Sequence, residues 1–578
     1  MIGRRHKRLR KYDGYPRHFF GSGIGNVDAN NMPVTKEPTH PGWLAVDHCA
    51  PSSEPFPSVI EEDADGTASF DNPVSCLATF MHNANLPTQP KTSHRQHYEQ
   101  SSQGEGEPVA VLRCIHFPII AELGSKQEAI QSMSHSAPIH ATLDDWIARE
   151  ATSFSVDSLG SFHAAVDKLI ASLGRSVELL GFGEALHGGE DILIFRNRLF
   201  QRLVEAHGYS AIAVESSFPR ARVVNDYVGG RGSESYEAVQ ETGFSHGFGR
   251  LEANRELVEW MRGYNADPGN RVQLQFYGFD SPTEMVGSDS PRHVLYIVLD
   301  YLTSVDRAGD QERRGRIDPL LGQDSDWENP AASFDPAKSI GLSPAAAALR
   351  IETEELIMVL QTRRPEWVAK SDANRYWEAV QYAAVARQLL NYHAALARTS
   401  DKRLVELLGI RDAMMADNLA YMVARERARA SAVSSAEPGK VLAFAHNCHL
   451  KRGKAEWQLG TDLLAWWPAG SHLQEMFGPR YAVIGSAVGI SEANGIGRPE
   501  ADTLEARFTA GPGPALFIPT HKGQGLPASE IAAIPIRSGS LKNPSYFALT
   551  PQSFTDFDGL AVLQSTAYNR GGPPLQQL

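Results

Sequence analysis

Residues 177–227, VELLGFGEALHGGEDILIFRNRLFQRLVEAHGYSAIAVESSFPRARVVNDY, constrain the fold of this chain more than any other stretch. VELLGFG (177–183) is a short, strand-like apolar run ending in glycine. Glu184 and His187 follow at once, then Gly188 and Gly189, which can take backbone angles closed to other residues. Between 191 and 206, Ile192, Phe195, Leu199, Leu203 and Val204 recur at three- and four-residue steps, the period of a helix. Arg196, Arg198, Gln201 and Arg202 are left for its other faces, and Gly208 can stop it. AIAVE (211–215) then reads as a second buried strand that delivers Glu215 at its carboxyl end. Strand, helix and parallel strand form one crossover unit, and in open α/β sheets the polar groups just beyond the carboxyl ends of strands face the ligand crevice.

The rest of the chain is read around that unit. Residues 1–140 are rich in Pro, Ser, His, Asn and Gln, and apart from VAVLRCIHFPIIAEL (109–123) they lack apolar periodicity, so a largely disordered extension is expected. Between 143 and 174, LDDWIAREATSF and SFHAAVDKLIASLG read as helical, with Asp144 and Asp145 suited to a helix amino terminus. RVVNDYV (222–228) and LEANRELVEWMRGYN (251–265) read as helices, and VQLQFYGFD (272–280) as a third strand presenting Asp280. Residues from about 290 to 430 carry four helical patterns without an intervening strand, interrupted by a polar loop at 306–342. They read as an insertion able to wall or cover a bulky ligand. Strands resume at KVLAFAH (440–446), RYAVIGSAVG (480–489), ALFIP (515–519) and GLAVLQS (559–565). The expected architecture is α/β: a three-layer α/β/α sheet core over 141–578 with a large helical insertion.

Charge and cysteine content narrow the functional classes. A net charge of −13 disfavours a general nucleic-acid or anionic-membrane surface and suits a neutral or cationic partner. The basic run RRHKRLRK (4–11) reads as a solvated tail, and no apolar segment of a signal follows it. Four cysteines without a CxxC pair fit a reducing compartment, and no apolar run approaches the roughly eighteen residues of a membrane helix. The expectation is a cytoplasmic protein without membrane or nucleic-acid partners.

Ionisable groups stand at four strand ends: Glu184 with His187, Glu215, Asp280, and His446 with His449. A parallel sheet brings such ends to one edge although they are far apart in sequence. A histidine held by a carboxylate makes a base for near-neutral pH, and Arg196 can supply fixed positive charge for an oxyanion. Cys448, between two histidines, reads as an inert buried thiol, and Ser216 and Ser217 lack a nucleophile elbow, which favours activated water over a covalent intermediate. His207, His246 and His393 read as structural. The GFSHGFGR loop serves equally as a pocket wall or as a turn.

These residues resemble the erythromycin esterase family, whose members share a GExxHG motif, a downstream arginine, a glutamate ending the next strand and an HNxH-like motif. Here they stand as Gly183-Glu184-Ala185-Leu186-His187-Gly188, Arg196, Glu215 and His446-Asn447-Cys448-His449, with Arg196 and Glu215 nine and twenty-eight residues after His187. LFQRLVE, AVESSF, VNDYV, LVEWMRGYN and RDAMMADNL also resemble family phrases, so the likeness covers roughly 155–570. It implies ester hydrolysis opening a macrolide lactone, with a small-molecule ester or macrolide as partner and no cofactor. His187 would deprotonate water, Glu184 and Glu215 would position it, and Arg196, His446 and His449 would complete the polar site, with Asp280 a substrate contact. The ligand types would also suit zinc. A metal-dependent hydrolase using the same cluster and a non-catalytic ligand- or haem-binding protein therefore stay open as alternatives.

Overall fold

Strands that are apolar along both faces need cover on both, and the inner strands of the main sheet divide their residues between two cores. The computed structural model describes residues 142–284, 287–432, 439–511 and 513–573; the extension expected at 1–140 lies outside them. Eight strands form the main sheet: β1 (Thr152–Phe154), β2 (Leu179–Glu184), β3 (Tyr209–Ser217), β4 (Gln275–Asp280), β5 (Lys440–His446), β6 (Tyr481–Ile490), β7 (Ala515–Pro519) and β8 (Gly559–Ser565). Their order is β1-β7-β8-β6-β2-β5-β3-β4. Every neighbouring pair from β8 to β4 is parallel, whereas β7 runs antiparallel to both β1 and β8.

In β5, Val441, Ala443 and Ala445 join one core while Leu442 and Phe444 join the other. The same period of two sends Ala211 and Ala213 of β3 one way and Ile212 and Val214 the other. The second core is closed by α1 (Leu159–Leu173), α2 (Glu190–His207) and α3 (Glu252–Ala266). The first is closed chiefly by α4 (Arg292–Val305), α5 (Pro344–Thr362), α6 (Ala373–Leu396) and α7 (Arg403–Ala432). Helices thus cover both faces of a mostly parallel sheet, as expected.

Helix α2 shows how local chemistry fixes the element that follows β2. Glu190 and Asp191 occupy its first turn, where negative charge suits the helix dipole. Gly208 ends it in the left-handed region (φ 73°), its N–H donating to the Leu203 carbonyl. Ile192, Phe195, Leu199 and Leu203 are fully buried, each stabilising the packed state by about 1.5–3 kcal/mol. Phe195 sits within 6 Å, ring centre to ring centre, of Phe154, Phe162, Phe182 and Phe517. Phe195→Ala would therefore cost about 3–5 kcal/mol.

Three local readings change. ATSF, expected as helix, contributes Thr152–Phe154 as an edge strand against β7. The polar loop expected at 306–342 contains a helix, Asp310–Leu321, with only Arg313, Ile317 and Leu321 buried. It lacks an apolar stripe because surface ion pairs replace one, Arg314 with Asp310 and Arg316 with Glu312 and Glu352. A hairpin, Ala455–Leu459 with Asp462–Trp466, was not expected; its alternation is short and broken by charge. Among the described residues no helix is long and apolar enough to cross a membrane.

Candidate active site

The register of β2 against β5 sets Glu184 beside His446 at the carboxyl edge of the sheet. The chain then turns sharply. A side chain at Gly183 would begin 2.2 Å from Asn447 Oδ1, and Gly188 has φ 104° with Tyr568 packed 3.0 Å from where a Cβ would stand. Inside that turn the Glu184 carboxylate meets His187 Nδ1 at 2.6 Å. The turn is held from outside: the His187 N–H donates to Ser545 Oγ (3.0 Å), and Asn543 Nδ2 donates to the His187 carbonyl (2.7 Å). Asn494 Nδ2 donates to the Gly188 carbonyl (3.1 Å). The dyad's geometry is therefore fixed by a polar network as well as by its own hydrogen bond.

At the end of β3 the ladder to β5 stops at the pair Val214 and Phe444, and the register to β4 shifts between Val214 and Ser217. This irregularity lets the Glu215 side chain take over from the backbone, accepting the His446 N–H at 2.8 Å. Arg411, from α7, reaches the same carboxylate at 3.1 Å and binds Asp280 through Nε (2.9 Å) and Nη2 (2.6 Å). The His446 ring accepts the Cys448 N–H on Nδ1 (3.2 Å) and donates Nε2–H to the Ser545 carbonyl (2.7 Å). Since a carbonyl can only accept, these partners fix a neutral ring with its proton on Nε2. His449 pairs through Nδ1 with Asp412 (2.8 Å), and its Nε2 lies 3.4 Å from Glu215.

The charges follow from these contacts. Burial works against a charged His187, but Glu184 and then Glu215 outweigh it and push its pKa up to about 9. Burial and the neighbouring His187 push His446 down to about 3. Glu215 is held well below the usual carboxylate range, because His449, His187 and Arg411 together overcome the cost of burial. Asp280 is lowered, burial being outweighed by Arg411 and His246. His449 is raised, with Asp412 ahead of Glu215 in overcoming burial.

The structure brings Glu184, His187, Glu215, His446 and His449 together at one sheet edge. His187, Glu215, His446 and His449 line a cleft of about 1060 Å³, which Arg411 and the aromatic Phe248, Trp457 and Phe547 also border. Arg196 is not on that cleft. It is buried, with its guanidinium on Asn197 Oδ1 (2.7 and 3.1 Å) and over the Phe444 ring. It borders, with Glu184, His187 and Glu215, a cavity of about 30 Å³, space on the scale of one or two water molecules. Asp280 is fully buried beneath Arg411 and does not line the cleft. Among the described residues no group of three His, Cys, Asp or Glu is disposed to hold a metal ion.

His207 pairs with Asp167, and His393 on α6 meets the Asp289 carbonyl just ahead of α4, so both are structural. His246 is different: it borders the cleft and faces Asp280 at 3.4 Å, and the GFSHGFGR loop forms cleft wall. Its positive φ (58°) gives a non-glycine turn residue that the flanking glycines disguised. Reading the residues alone did not single out Arg411, Asp412, Asn543 or Ser545. An Arg-Asp pair on a long helix carries no chemical signature until the helix is placed against β3 and β4. Asn543 and Ser545 lie in a stretch without periodicity.

A family model described as Erythromycin esterase matches residues 204–566, which include Glu215, Arg411, His446 and His449; Glu184, His187 and Arg196 precede the match. The chain is similar to an erythromycin esterase type II of Escherichia coli, at 23% identity over 358 residues, 59% of this chain and 76% of that protein. Its fold is similar to that of a Bacillus cereus protein of solved structure (TM-score 0.57, 18% identity, 75% of this chain and 98% of that one). It is also similar to that of a mutant of the erythromycin esterase EreC in its open conformation (TM-score 0.51, 17% identity, 72% of this chain and 95% of that one). With more than half of its length matched by the family model and a Glu-His cluster gathered at one sheet edge, the chain belongs to the erythromycin esterase family, a family of esterase-type hydrolases.

Proposed function

We propose that this protein hydrolyses a carboxylic ester or lactone of a bulky small molecule with water activated by His187, the macrolactone of an erythromycin-type macrolide being the first candidate. The observation that carries the reading is the Glu184–His187 pair, 2.6 Å apart, with His187 on a cleft of about 1060 Å³. Glu184 fixes Nδ1 and leaves Nε2 as the base, the arrangement that makes an oriented imidazole an acceptor for a proton of water. The water oxygen bonds to the ester carbonyl carbon, its proton passes to His187, and the carbonyl oxygen becomes the oxyanion. Arg411, locked by Asp280, supplies fixed positive charge on the cleft wall for that oxyanion. Arg196 acts at one remove, as a buried cation whose guanidinium, lowered by burial to about 10, feels chiefly the charge of Glu184. Asp280 serves the substrate through Arg411.

The similarity to an erythromycin esterase type II supports the macrolide as first substrate. A cytoplasmic location belongs to the same proposal and rests on the scarcity of cysteine and on Cys448 as a free thiol. The test is to incubate the purified protein with erythromycin, before and after treatment with a chelator, and follow the mass for gain of one water. The reading expects turnover that survives the chelator and is lost in His187→Asn. An inactive wild type, or an equally active His187→Asn, would sink it.

A further inference from the structure

Ester hydrolysis moves two protons, one off the attacking water and one onto the departing alcohol, and the Glu184–His187 pair accounts for the first. We infer that His449 is the acid that protonates the departing alcohol and that Asp412 is the residue that positions it. The inference rests on the hydrolase reading above and extends it.

Four histidines border the cleft; His246 faces the buried Asp280 at 3.4 Å, and the hydrogen bonds of the other three separate them. His446 has no proton to give, since its Nε2–H is committed to the Ser545 carbonyl at 2.7 Å and its Nδ1 lone pair to the Cys448 N–H. His187 is occupied in taking the proton of water. His449, like His187, has one nitrogen anchored and the other loosely held: Nδ1 is fixed on Asp412 at 2.8 Å, and Nε2 lies 3.4 Å from Glu215. That distance exceeds the usual range of a good N–H···O bond, so the Nε2 proton is available to an oxygen bound in the cleft.

Asp412 is built for the supporting part. It is completely buried and accepts three hydrogen bonds, from His449 Nδ1, Trp466 Nε1 (2.7 Å) and the Ala469 N–H (2.8 Å). Trp466 and Ala469 bracket its carboxylate so that one lone pair meets the imidazole in a set orientation. A buried carboxylate whose ion-pair partner is His449 favours the protonated ring, which is the form an acid must have. When the tetrahedral intermediate collapses, the bond from carbon to the alkoxy oxygen breaks and its electron pair stays on that oxygen. The Nε2 proton of His449 moves to it, leaving His449 neutral and His187 protonated. Return of that proton through the water of the cleft restores both rings, and the sum is ester plus water giving acid plus alcohol.

Leaving-group dependence tests this. A p-nitrophenolate departs without help, whereas an alkoxide needs a proton, and a general acid contributes about 10²–10⁴-fold. Initial rates are measured for wild type, His449→Gln and Asp412→Asn on a p-nitrophenyl ester and an alkyl ester of the same acid. Both variants are expected to lose about 100-fold or more on the alkyl ester and at least tenfold less than that on the p-nitrophenyl ester. Equal losses on the two esters in folded His449→Gln would overturn the assignment, whatever Asp412→Asn does. Equal losses in Asp412→Asn with a skewed ratio in His449→Gln would overturn the role of Asp412 alone. Should Asp412→Asn not fold, Trp466→Phe, which removes one of its three donors, is expected to skew the ratio in the same direction; an unchanged ratio would count against Asp412. A wild type inactive on both esters would instead overturn the hydrolase reading itself.

Discussion

Replacing Asp280 with asparagine distinguishes a residue that touches substrate from one that locks Arg411. The carboxylate is fully buried and takes two charge-assisted hydrogen bonds from Arg411, at 2.9 and 2.6 Å. Removing one charge of a buried pair costs about 3–5 kcal/mol. Arg411 keeps its 3.1 Å contact with Glu215, and asparagine keeps one acceptor, so the lower end, about 3 kcal/mol, applies. At an unfolding entropy of about 2 cal/mol/K per residue, that loss lowers the Tm of a folded unit of several hundred residues by about 3–4 °C. Arg411 would also lose its fixed aim at the cleft, so kcat is expected to fall more than KM rises. Differential scanning fluorimetry and steady-state kinetics on Asp280→Asn give both readings. A Tm within about 1 °C of wild type, with a raised KM and an unchanged kcat, would refute the reasoning and return Asp280 to direct substrate contact.

Stability should depend on pH with a sign set by the histidines. His187 is raised from 6.5 to about 9, so its contribution is complete below about pH 6.5 and is lost as pH rises to about 9; the shift bounds it at about 3 kcal/mol. His446, lowered to about 3, acts oppositely: the fold loses stability as pH falls from 6.5 toward 3, and Glu215 and Asp280, both lowered, add to the acid loss. Thermal melts across pH 3–10 should therefore peak near pH 6; a Tm still rising between pH 7 and 9 would contradict the assignment. The Cys448 thiol is pushed up to about 12 chiefly by burial, so it should resist iodoacetamide at pH 7.5, and Cys448→Ala should keep turnover within about threefold. Rapid stoichiometric alkylation with loss of activity would reopen a cysteine nucleophile.

Much of this was legible in the residues because it rests on short-range periodicity. KVLAFAH, ALFIP and GLAVLQS coincide with β5, β7 and β8, since strands buried on both faces announce themselves as short apolar runs. The convergence of Glu184, Glu215, His446 and His449 followed from one rule about parallel strands, and the sheet order puts β2, β5, β3 and β4 side by side. What stayed hidden depends on tertiary placement. Arg411 and Asp412 matter because α7 packs across β4 and β5, and nothing in RDAMMADNL says which face meets a carboxylate. Arg196 was expected to supply fixed positive charge at the polar site. It is buried behind Glu184 because its position on α2 turns it toward Phe444 and Asn197. Asn543 and Ser545 clamp the turn that carries Glu184 and His187 across more than 350 residues of sequence, a pairing that no local pattern encodes.

The central claim is that water is activated by His187 in its neutral form under the control of Glu184, and the pH dependence of kcat/KM tests it most directly. With His187 at about 9, the wild type acting on a p-nitrophenyl ester, whose departure needs no acid, should gain about tenfold per pH unit from pH 6 and level off near 9. Glu184→Gln removes the leading cause of that elevation, so its rising limb should move down by more than one unit while its plateau falls at least tenfold. A wild-type profile that is flat or falling between pH 6 and 9, or a limb that stays in place in Glu184→Gln, would contradict the account.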